Sequence, residues 1–239
     1  MRDLASAFDR GADRYDLLVS LNPGYHAHLH SAADELARRS GPADAGLRLL
    51  DLACGSGAST RALLDQSPAG TTITGIDLSE GMLARARAKT WPPGTTFRQG
   101  RVGGLDLAAL GRGSWQGVFA SYLFRNVPAD ERTTALVEVH DLLAPGGWLV
   151  TQEYSVAGNR RARAVWDAVS LGVILPLGTV VDRNPGLYRY LWRSVRDFDT
   201  TPAFMGRLAE AGFTEIACRT VPGWQRGILH TFVARKAPA

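Results

Sequence analysis

Two acids and two glycines stand at a spacing that suits a nucleoside ligand. Gly55 and Gly57 lie in the segment DLACGSG at positions 51–57, and glycines let backbone amides approach a ligand closely. Asp77 follows Gly55 by 22 residues, and a carboxylate there can accept hydrogen bonds from a ribose diol. These residues indicate a nucleoside-binding turn, although a dinucleotide-binding fold has the same outline.

Asp51 distinguishes between the ligands that fit this outline. It stands four residues before Gly55. An ionised acid beside the turn suits a ligand with positive charge better than one that presents a pyrophosphate. A positively charged ligand is therefore favoured, and a nicotinamide site and a turn without any cofactor are the weaker alternatives.

The turn needs a strand before it and a helix after it, and the hydrophobic periodicity predicts both. Strands are predicted at 47–52, 71–76, 97–102, 115–122, 148–154, 213–219 and 228–236. Helices are predicted at 5–19, 25–39, 58–66, 79–89, 130–143, 160–174, 187–195 and 202–211, with breaks at Pro176 and Pro185. Alternating strands and helices are typical of a parallel sheet covered on both faces, and the last two strands are close enough to form a hairpin at one edge.

Composition and charge narrow the class of protein. The chain has 239 residues, of which 45% are hydrophobic and 21% charged, as in ordinary globular proteins. The net charge of +4 would suit an acidic partner, but the basic residues are scattered. The one cluster, Arg160, Arg161 and Arg163, carries no aromatic platform. We therefore expect no nucleic-acid partner.

Cysteine usage and hydropathy bear on the compartment. Cys54 and Cys218 form neither a CxxC motif nor a metal-ligand set, which favours a reducing compartment. The first residues hold no apolar leader, and the longest apolar stretch, 165–181, is interrupted and falls short of the roughly 20 residues of a membrane helix. These features predict a cytoplasmic protein without an integral membrane segment. The oligomeric state stays open, with a homodimer among the options.

Longer stretches resemble a known family. LLDLACGSG at 49–57 and GIDLSEGML at 75–83 resemble motif I and the following acidic motif of the class I S-adenosylmethionine-dependent methyltransferases. A narrower resemblance is to the ubiquinone/menaquinone biosynthesis C-methyltransferases. It is carried by FDRGADRYD at 8–16, LFRNV at 123–127, LLAPGGWLV at 142–150, YRYLWRSV at 188–195 and AGF at 211–213.

The resemblance implies a single α/β domain over residues 1–239. Its expected fold is a Rossmann-like, seven-stranded, mostly parallel sheet with helices on both faces, an antiparallel C-terminal edge strand and helical lid elements. The expected parts are a helical cap at 1–45, a cofactor-binding core at 46–155, a helical insertion at the acceptor site at 156–200, and a C-terminal helix and strand pair at 201–239.

The implied cofactor is S-adenosylmethionine. Asp51 would lie near its methionine ammonium group, Asp77 would accept its ribose hydroxyls, and Leu78 and Met82 would flank its adenine. Tyr15 would close over the sulfonium with its aromatic face, or else pack in the core. The other implied cofactor contacts are Ala53, Gly55, Gly57, Val102 and Ser121.

One acid of the family pattern is missing. The GDA sequence after the third strand is Gly100-Arg101-Val102 here, so Arg101 stands where an acid is expected near the adenine amino group. Either backbone and apolar contacts hold the adenine, or another acid such as Asp106 does.

Arg125 and Asn126 are the predicted catalytic residues, since they follow the fourth strand beside the expected methyl group. The guanidinium of Arg125 stays protonated and would stabilise a phenolate or hydroquinone oxyanion, which pushes electron density onto the attacking ring carbon. Asn126 would orient the same oxygen. The alternative for Arg125 is a tie to a neighbouring carboxylate or to the cofactor.

Histidines near the start of the chain raise a metal hypothesis. His26 and His30 share a helix face, but no third ligand stands out in the sequence, so we expect no metal. A base that faces the substrate is the better role for His26.

These residues predict a methyltransferase that methylates a carbon atom of a quinol, phenolic or polyketide-like small molecule. The alternatives are an O- or N-methyltransferase of a specialised metabolite, a cyclase or isomerase that keeps S-adenosylmethionine as a non-reacting cofactor, and a non-catalytic binding protein. Segments 21–30 and 222–228 depart from the family's usual sequences, so the resemblance leaves the acceptor unassigned.

Overall fold

One central sheet organises the computed structural model, which describes residues 24–42, 45–182 and 185–239. Tyr15 and the predicted helix 5–19 lie outside these residues. Within them, seven strands follow the order β3-β2-β1-β4-β5-β7-β6. The strands are β1 Arg48–Leu52, β2 Thr72–Asp77, β3 Thr95–Gln99, β4 Trp115–Ser121, β5 Leu143–Tyr154, β6 Thr214–Thr220 and β7 Leu229–Arg235.

The sheet is mostly parallel, as predicted. The pairs formed among β1 to β5 are all parallel, whereas β7 runs antiparallel to both β5 and β6. The antiparallel strand β7 therefore lies one place inside the edge, and β6 forms the edge itself.

Helices cover both faces of the sheet. They are α1 Tyr25–Ser40, α2 Ala58–Gln66, α3 Glu80–Arg87, α4 Leu107–Leu110, α5 Arg132–Leu142, α6 Arg160–Val169, α7 Leu175–Leu177, α8 Pro185–Arg196 and α9 Thr201–Glu210. Side-chain caps fix several starts: the Ser79 hydroxyl accepts from the Met82 amide at 3.1 Å before α3, and Thr200 accepts from Ala203 at 3.2 Å before α9.

Strand alternation divides the core into two clusters. On β4, Val118 and Ala120 belong to the cluster that includes residues of α5 and α9. Phe119, between them, belongs to the cluster that includes residues of α1 and α2. Because successive strand residues point to opposite faces, both faces of the sheet are apolar and both are covered.

Two strand boundaries were predicted wrongly. β3 occupies 95–99 rather than 97–102, because β2 ends at Asp77, which pairs with Gln99, and the residues beyond have no partner strand. β5 begins at Leu143 rather than Trp148, because Leu143 already pairs with Trp115 of β4.

The predicted break at Pro176 is also wrong. Helical backbone continues from α6 through a π-helical turn, Ser170–Ile174, then α7, then a second π-helical turn, Gly178–Asp182. Pro176 lies inside this continuous helical backbone, so its missing amide hydrogen leaves one backbone hydrogen bond unmade without ending the helix. In the π-helical turns on both sides of Pro176, hydrogen bonds join residues five apart rather than four, so each turn contains more residues than an α-helical turn.

Candidate active site

A cavity of about 390 Å³ opens at the carboxyl ends of β1, β2 and β4, the edge at which open α/β sheets bind ligands. Ala53 and Gly55 line it from the turn after β1, Asp77 and Leu78 from the end of β2, and Ser121 from the end of β4. These five predicted cofactor residues are therefore brought together at one wall.

The two glycines of the turn are required for different reasons. Gly55 has φ 54°, and a Cβ there would meet nothing within 4 Å, so its backbone faces open space in the cavity. Gly57 has φ 94°, and a Cβ there would lie 2.7 Å from Cζ2 of Trp91. Gly57 therefore allows close packing behind the turn, and it is not on the cavity wall, contrary to its predicted role as a ligand contact.

Asp77 fastens the turn to β2. Its Oδ2 atom accepts from the Gly55 amide at 2.9 Å, and its Oδ1 atom accepts from the Ser79 amide at 2.8 Å. The carboxylate also lines the cavity. The arrangement suits a pair of ribose hydroxyls.

Asp51 is bound by the helix that follows the glycine turn. It is fully buried, and its Oδ2 atom accepts from the hydroxyls of Ser59 at 2.8 Å and Thr60 at 2.6 Å. Burial raises the pKa of Asp51 to about 7. It anchors the first turn of α2 behind the cavity wall, and its Oδ1 atom is buried without a hydrogen-bond partner.

The wall expected to hold adenine is mainly apolar. Met82 and Val102 line it beside Leu78, together with Arg101. Arg101 forms an ion pair with Glu131. Asp106 does not replace the missing acid, because its Oδ1 atom accepts from the Ala109 amide at 3.0 Å as the cap of α4 and it lies off the cavity wall.

A 3-10 turn after β4, Phe124–Asn126, carries the two predicted catalytic residues into the cavity. Asn126 is held on both sides: its Nδ2 atom donates to the Tyr122 carbonyl at 2.7 Å, and its Oδ1 atom accepts from the Tyr190 hydroxyl at 3.1 Å. The guanidinium of Arg125 lies 5.6 Å from the centre of the Tyr122 ring, and its Nε atom has no hydrogen-bond partner.

Glu153 of β5 supports this turn from beneath, a role that the sequence analysis missed. Its Oε1 atom accepts from the Phe124 amide at 2.6 Å, and its Oε2 atom is buried without a partner. Burial raises the pKa of Glu153 to about 7, against the opposing effects of Arg125 and of the turn's backbone amides.

The rest of the cavity is apolar and aromatic. Tyr122 stacks on Tyr154 at 5.1 Å between ring centres, and Tyr154 stacks on Trp166 of α6 at 5.4 Å. We call the helical segment 160–182 the lid. The lid and α8 contribute mainly apolar side chains, among them Val169, Val173, Ile174, Leu177, Leu187, Leu191, Trp192 and Val195. This wall suits a flat, apolar acceptor.

The histidines do not join the site. His26, predicted as a base, is exposed at the start of α1 and lies off the cavity wall, because it follows directly on Tyr25, the buried residue whose ring faces the cavity. His30 contacts Gln66 at 3.2 Å. In the part of the chain that the structure describes, no group of three or more His, Cys, Asp or Glu side chains is placed to hold a metal ion.

Among the described residues, one helix is long and apolar enough to cross a membrane, by length and composition alone. It is Arg160–Val180, whose most apolar window has a mean hydropathy of 1.3 and is 17% buried. The sequence analysis expected this region to fall short of a membrane helix, and the continuation through Pro176 explains the difference.

The strand order and the glycine turn define the class I S-adenosylmethionine-dependent methyltransferases. A solved structure of such an enzyme from Mesorhizobium loti matches with a TM-score of 0.59 and 22% identity, over 87% of this chain and 100% of that one. The ubiE/COQ5 methyltransferase family matches residues 2–236. The chain therefore belongs to the ubiE/COQ5 methyltransferase family, and it is an S-adenosylmethionine-dependent methyltransferase.

Two relatives illustrate the family. The ubiquinone/menaquinone biosynthesis C-methyltransferase of Methylobacterium nodulans is 34% identical over 217 residues, 89% of this chain and 83% of the relative. The demethylmenaquinone methyltransferase of Beutenbergia cavernae is 33% identical over 239 residues, 98% of this chain and 91% of the relative.

The cavity fits the family's cofactor on its own evidence. The Ser121 hydroxyl is buried without a hydrogen-bond partner at the cavity wall. Gly55 leaves open space for a ligand, and the Asp77 carboxylate lines the cavity beside it. Gly55, Asp77 and Ser121, with the apolar Leu78, Met82 and Val102, are the residues that would hold S-adenosylmethionine.

Proposed function

We propose that this enzyme methylates a ring carbon of a quinol-type acceptor. The observation that carries the proposal is the position of Arg125, a cation between the cofactor wall and the apolar wall of one cavity. Two relatives support the acceptor class: one is named a ubiquinone/menaquinone biosynthesis C-methyltransferase and the other a demethylmenaquinone methyltransferase. Residues 46–155 would form the cofactor-binding core, and the helices of 156–200 would cover the acceptor.

S-adenosylmethionine, when bound, supplies an electrophilic methyl group and departs as S-adenosylhomocysteine. The chain's task is to make the acceptor carbon nucleophilic. A quinol that loses a hydroxyl proton becomes an oxyanion, and its charge is shared with the ring carbon that forms the new carbon–carbon bond. That carbon then loses its ring proton and the oxygen regains one, so the aromatic quinol is restored and one proton is released for each methyl group transferred.

Arg125 acts on this oxyanion. Its guanidinium offers several donors at a fixed charge, and the adjacent apolar wall keeps the local dielectric low, which strengthens the attraction. Asn126 uses one Nδ2 hydrogen and its Oδ1 atom to fix the turn against Tyr122 and Tyr190, and its second Nδ2 hydrogen would orient the oxyanion.

The apolar and aromatic wall selects the acceptor. Tyr122, Tyr154 and Trp166 form a continuous stack along it, and aromatic stacking suits a naphthalene- or benzene-type ring. A small polar amine would leave this wall without a partner, so N-methylation fits the cavity less well.

The test is turnover of a short-tailed quinol in solution with isotope-labelled methyl donor. A product carrying a new carbon-bound methyl group, identified by mass and NMR analysis, is the expected result. A matched phenol in which the reacting carbon is already substituted serves as the control. An oxygen- or nitrogen-bound methyl group, or an isomerised product without added mass, would overturn C-methylation.

A further inference from the structure

An exposed apolar surface borders the mouth of the active-site cavity. It consists of the outward-facing apolar residues of Arg160–Val180 and one tryptophan from the 223–225 turn, and we call it the lid face. Its members are Val165, Leu171, Val173, Leu177, Val180 and Trp224. Val180 is 77% exposed, Leu171 53% and Val173 51%, although aliphatic side chains of these types are usually buried in a water-soluble protein.

The lid face is continuous with the acceptor site. Val173, Leu177 and Trp224 belong to it and also line the cavity. A lipophilic molecule could therefore pass from whatever covers the lid face into the cavity without crossing a polar rim.

The charge beside the lid face identifies its partner. Arg160, Arg161 and Arg163 are exposed at the start of α6. Arg161 also lines a shallow depression with Arg226, next to Val165 and Trp224. An apolar strip with a tryptophan and a basic border is the composition of an interfacial helix on an anionic membrane.

No exposed acid on the helix offsets these arginines. Asp167 is the one acid of Arg160–Val180, and it accepts from the Trp192 indole at 2.8 Å and lies 3.7 Å from Arg196. A second copy of the same surface would offer the arginines no opposite charge, whereas an anionic phospholipid surface offers one at every headgroup.

The helix is attached to the domain along its other side. Ala162, Trp166 and Ser170 are buried, and the Trp166 indole donates to the Trp192 carbonyl at 3.2 Å. A spanning helix would have to break these contacts, while a helix lying in the interface keeps them.

We propose that the lid face docks on an anionic phospholipid bilayer, so that the cavity receives its acceptor directly from the membrane. The docking stands on the surface alone, and the delivery of the acceptor rests on the proposed function. The binding is peripheral: the apolar residues enter the headgroup boundary and the arginines contact lipid phosphates.

The experiment is flotation of the whole chain with vesicles of phosphatidylcholine, alone or mixed in equal parts with phosphatidylglycerol. The chain is expected to float with the anionic vesicles, less so in high salt, and not with the neutral ones. Arg160→Gln with Arg163→Gln should weaken binding by about fivefold for each arginine. Leu171→Ser with Val180→Ser should weaken it roughly tenfold.

Matched substitutions elsewhere separate the lid face from general surface effects. Val137→Ser removes an apolar residue that is 41% exposed on α5, and Arg98→Gln removes an exposed arginine on β3. Both should bind vesicles like the unaltered chain. Equal losses in these controls, or no binding to anionic vesicles, would overturn the docking. The docking proposal would also be overturned if the variant with Leu171→Ser and Val180→Ser lost self-association but bound vesicles as before.

Turnover of a short-tailed quinol in solution separates the two proposals. None of the four altered lid residues lines the cavity, so this turnover should be unchanged in the variants, while turnover of a long-tailed quinol embedded in anionic vesicles should fall. Turnover in solution without vesicle binding would contradict the docking proposal and leave the proposed function supported. Vesicle binding without turnover of either quinol would support the docking proposal and contradict the proposed function.

Discussion

Arg125 carries the chemistry at the scale of single residues, and its removal should separate turnover from cofactor affinity. Arg125→Gln should lower turnover about a hundredfold, the cost of one oxyanion-stabilising group, while affinity for S-adenosylhomocysteine changes little. Arg125→Lys keeps the charge but loses the planar fork, so turnover should fall by less.

Initial rates and titration calorimetry measure the two quantities, with Arg98→Gln as the exposed arginine control. Equal losses of turnover and cofactor affinity in Arg125→Gln would assign Arg125 to cofactor binding and contradict its catalytic role.

Glu153 should make stability depend on pH. Burial raises its pKa from 4.5 to about 7, so the folded chain holds this proton more tightly than the unfolded chain. The contribution is complete below about pH 4.5 and is lost as the pH rises to about 7, at a cost of up to about 3 kcal/mol. Glu153→Gln keeps an acceptor for the Phe124 amide and does not titrate.

Urea unfolding at about pH 5 and about pH 8 checks this sign. The Gln variant should gain stability relative to the unaltered chain as the pH rises, and Asp51, whose pKa burial also raises to about 7, affects both proteins alike. A relative stability that does not change with pH would show that Glu153 is ionised throughout.

At the scale of elements, the path of the lid past α8 depends on one glycine. A Cβ added at Gly178 would overlap the Tyr188 ring, and Tyr188 lines the cavity. Gly178→Ala should therefore displace the lid from α8 and raise the KM for the acceptor several-fold, since overpacking costs about 1–3 kcal/mol. Cofactor affinity should stay the same.

Gly172→Ala is the matched control, because a Cβ at Gly172 meets nothing within 4 Å and both glycines lie in the same helical segment. Steady-state kinetics with a short-tailed quinol measure the effect. If both variants raised KM equally, helix propensity rather than contact with Tyr188 would be the cause.

The limits of sequence reasoning also follow from particular elements. The sheet was predictable because its strands follow from local hydrophobic periodicity. The glycine turn was predictable because Gly55 and Gly57 lie only two positions apart in the chain. Glu153 and Tyr190 were missed because their partners lie 29 and 64 residues away. The hydrogen bonds of Asp51 to Thr60 and of Asp106 to the Ala109 amide were not predicted, because spacing does not reveal which way a carboxylate faces.

For the whole molecule, cofactor binding should stabilise the fold, because the cavity joins the ends of three central strands. A ligand at about a hundred times its Kd adds about 2.7 kcal/mol, which for a chain of this size raises Tm by about 5–10 °C. S-adenosylhomocysteine should produce this shift, while a nicotinamide dinucleotide should produce none, because the Gly55 amide already donates to Asp77 at 2.9 Å and that carboxylate would repel a pyrophosphate at the turn. Asp77→Ala should abolish most of the shift relative to its own ligand-free Tm. Asp106→Ala, which removes a helix cap outside the cavity, should keep it. If the Tm shift persisted in Asp77→Ala, the ribose would not bind at the end of β2, and the predicted role of Asp77 would be contradicted.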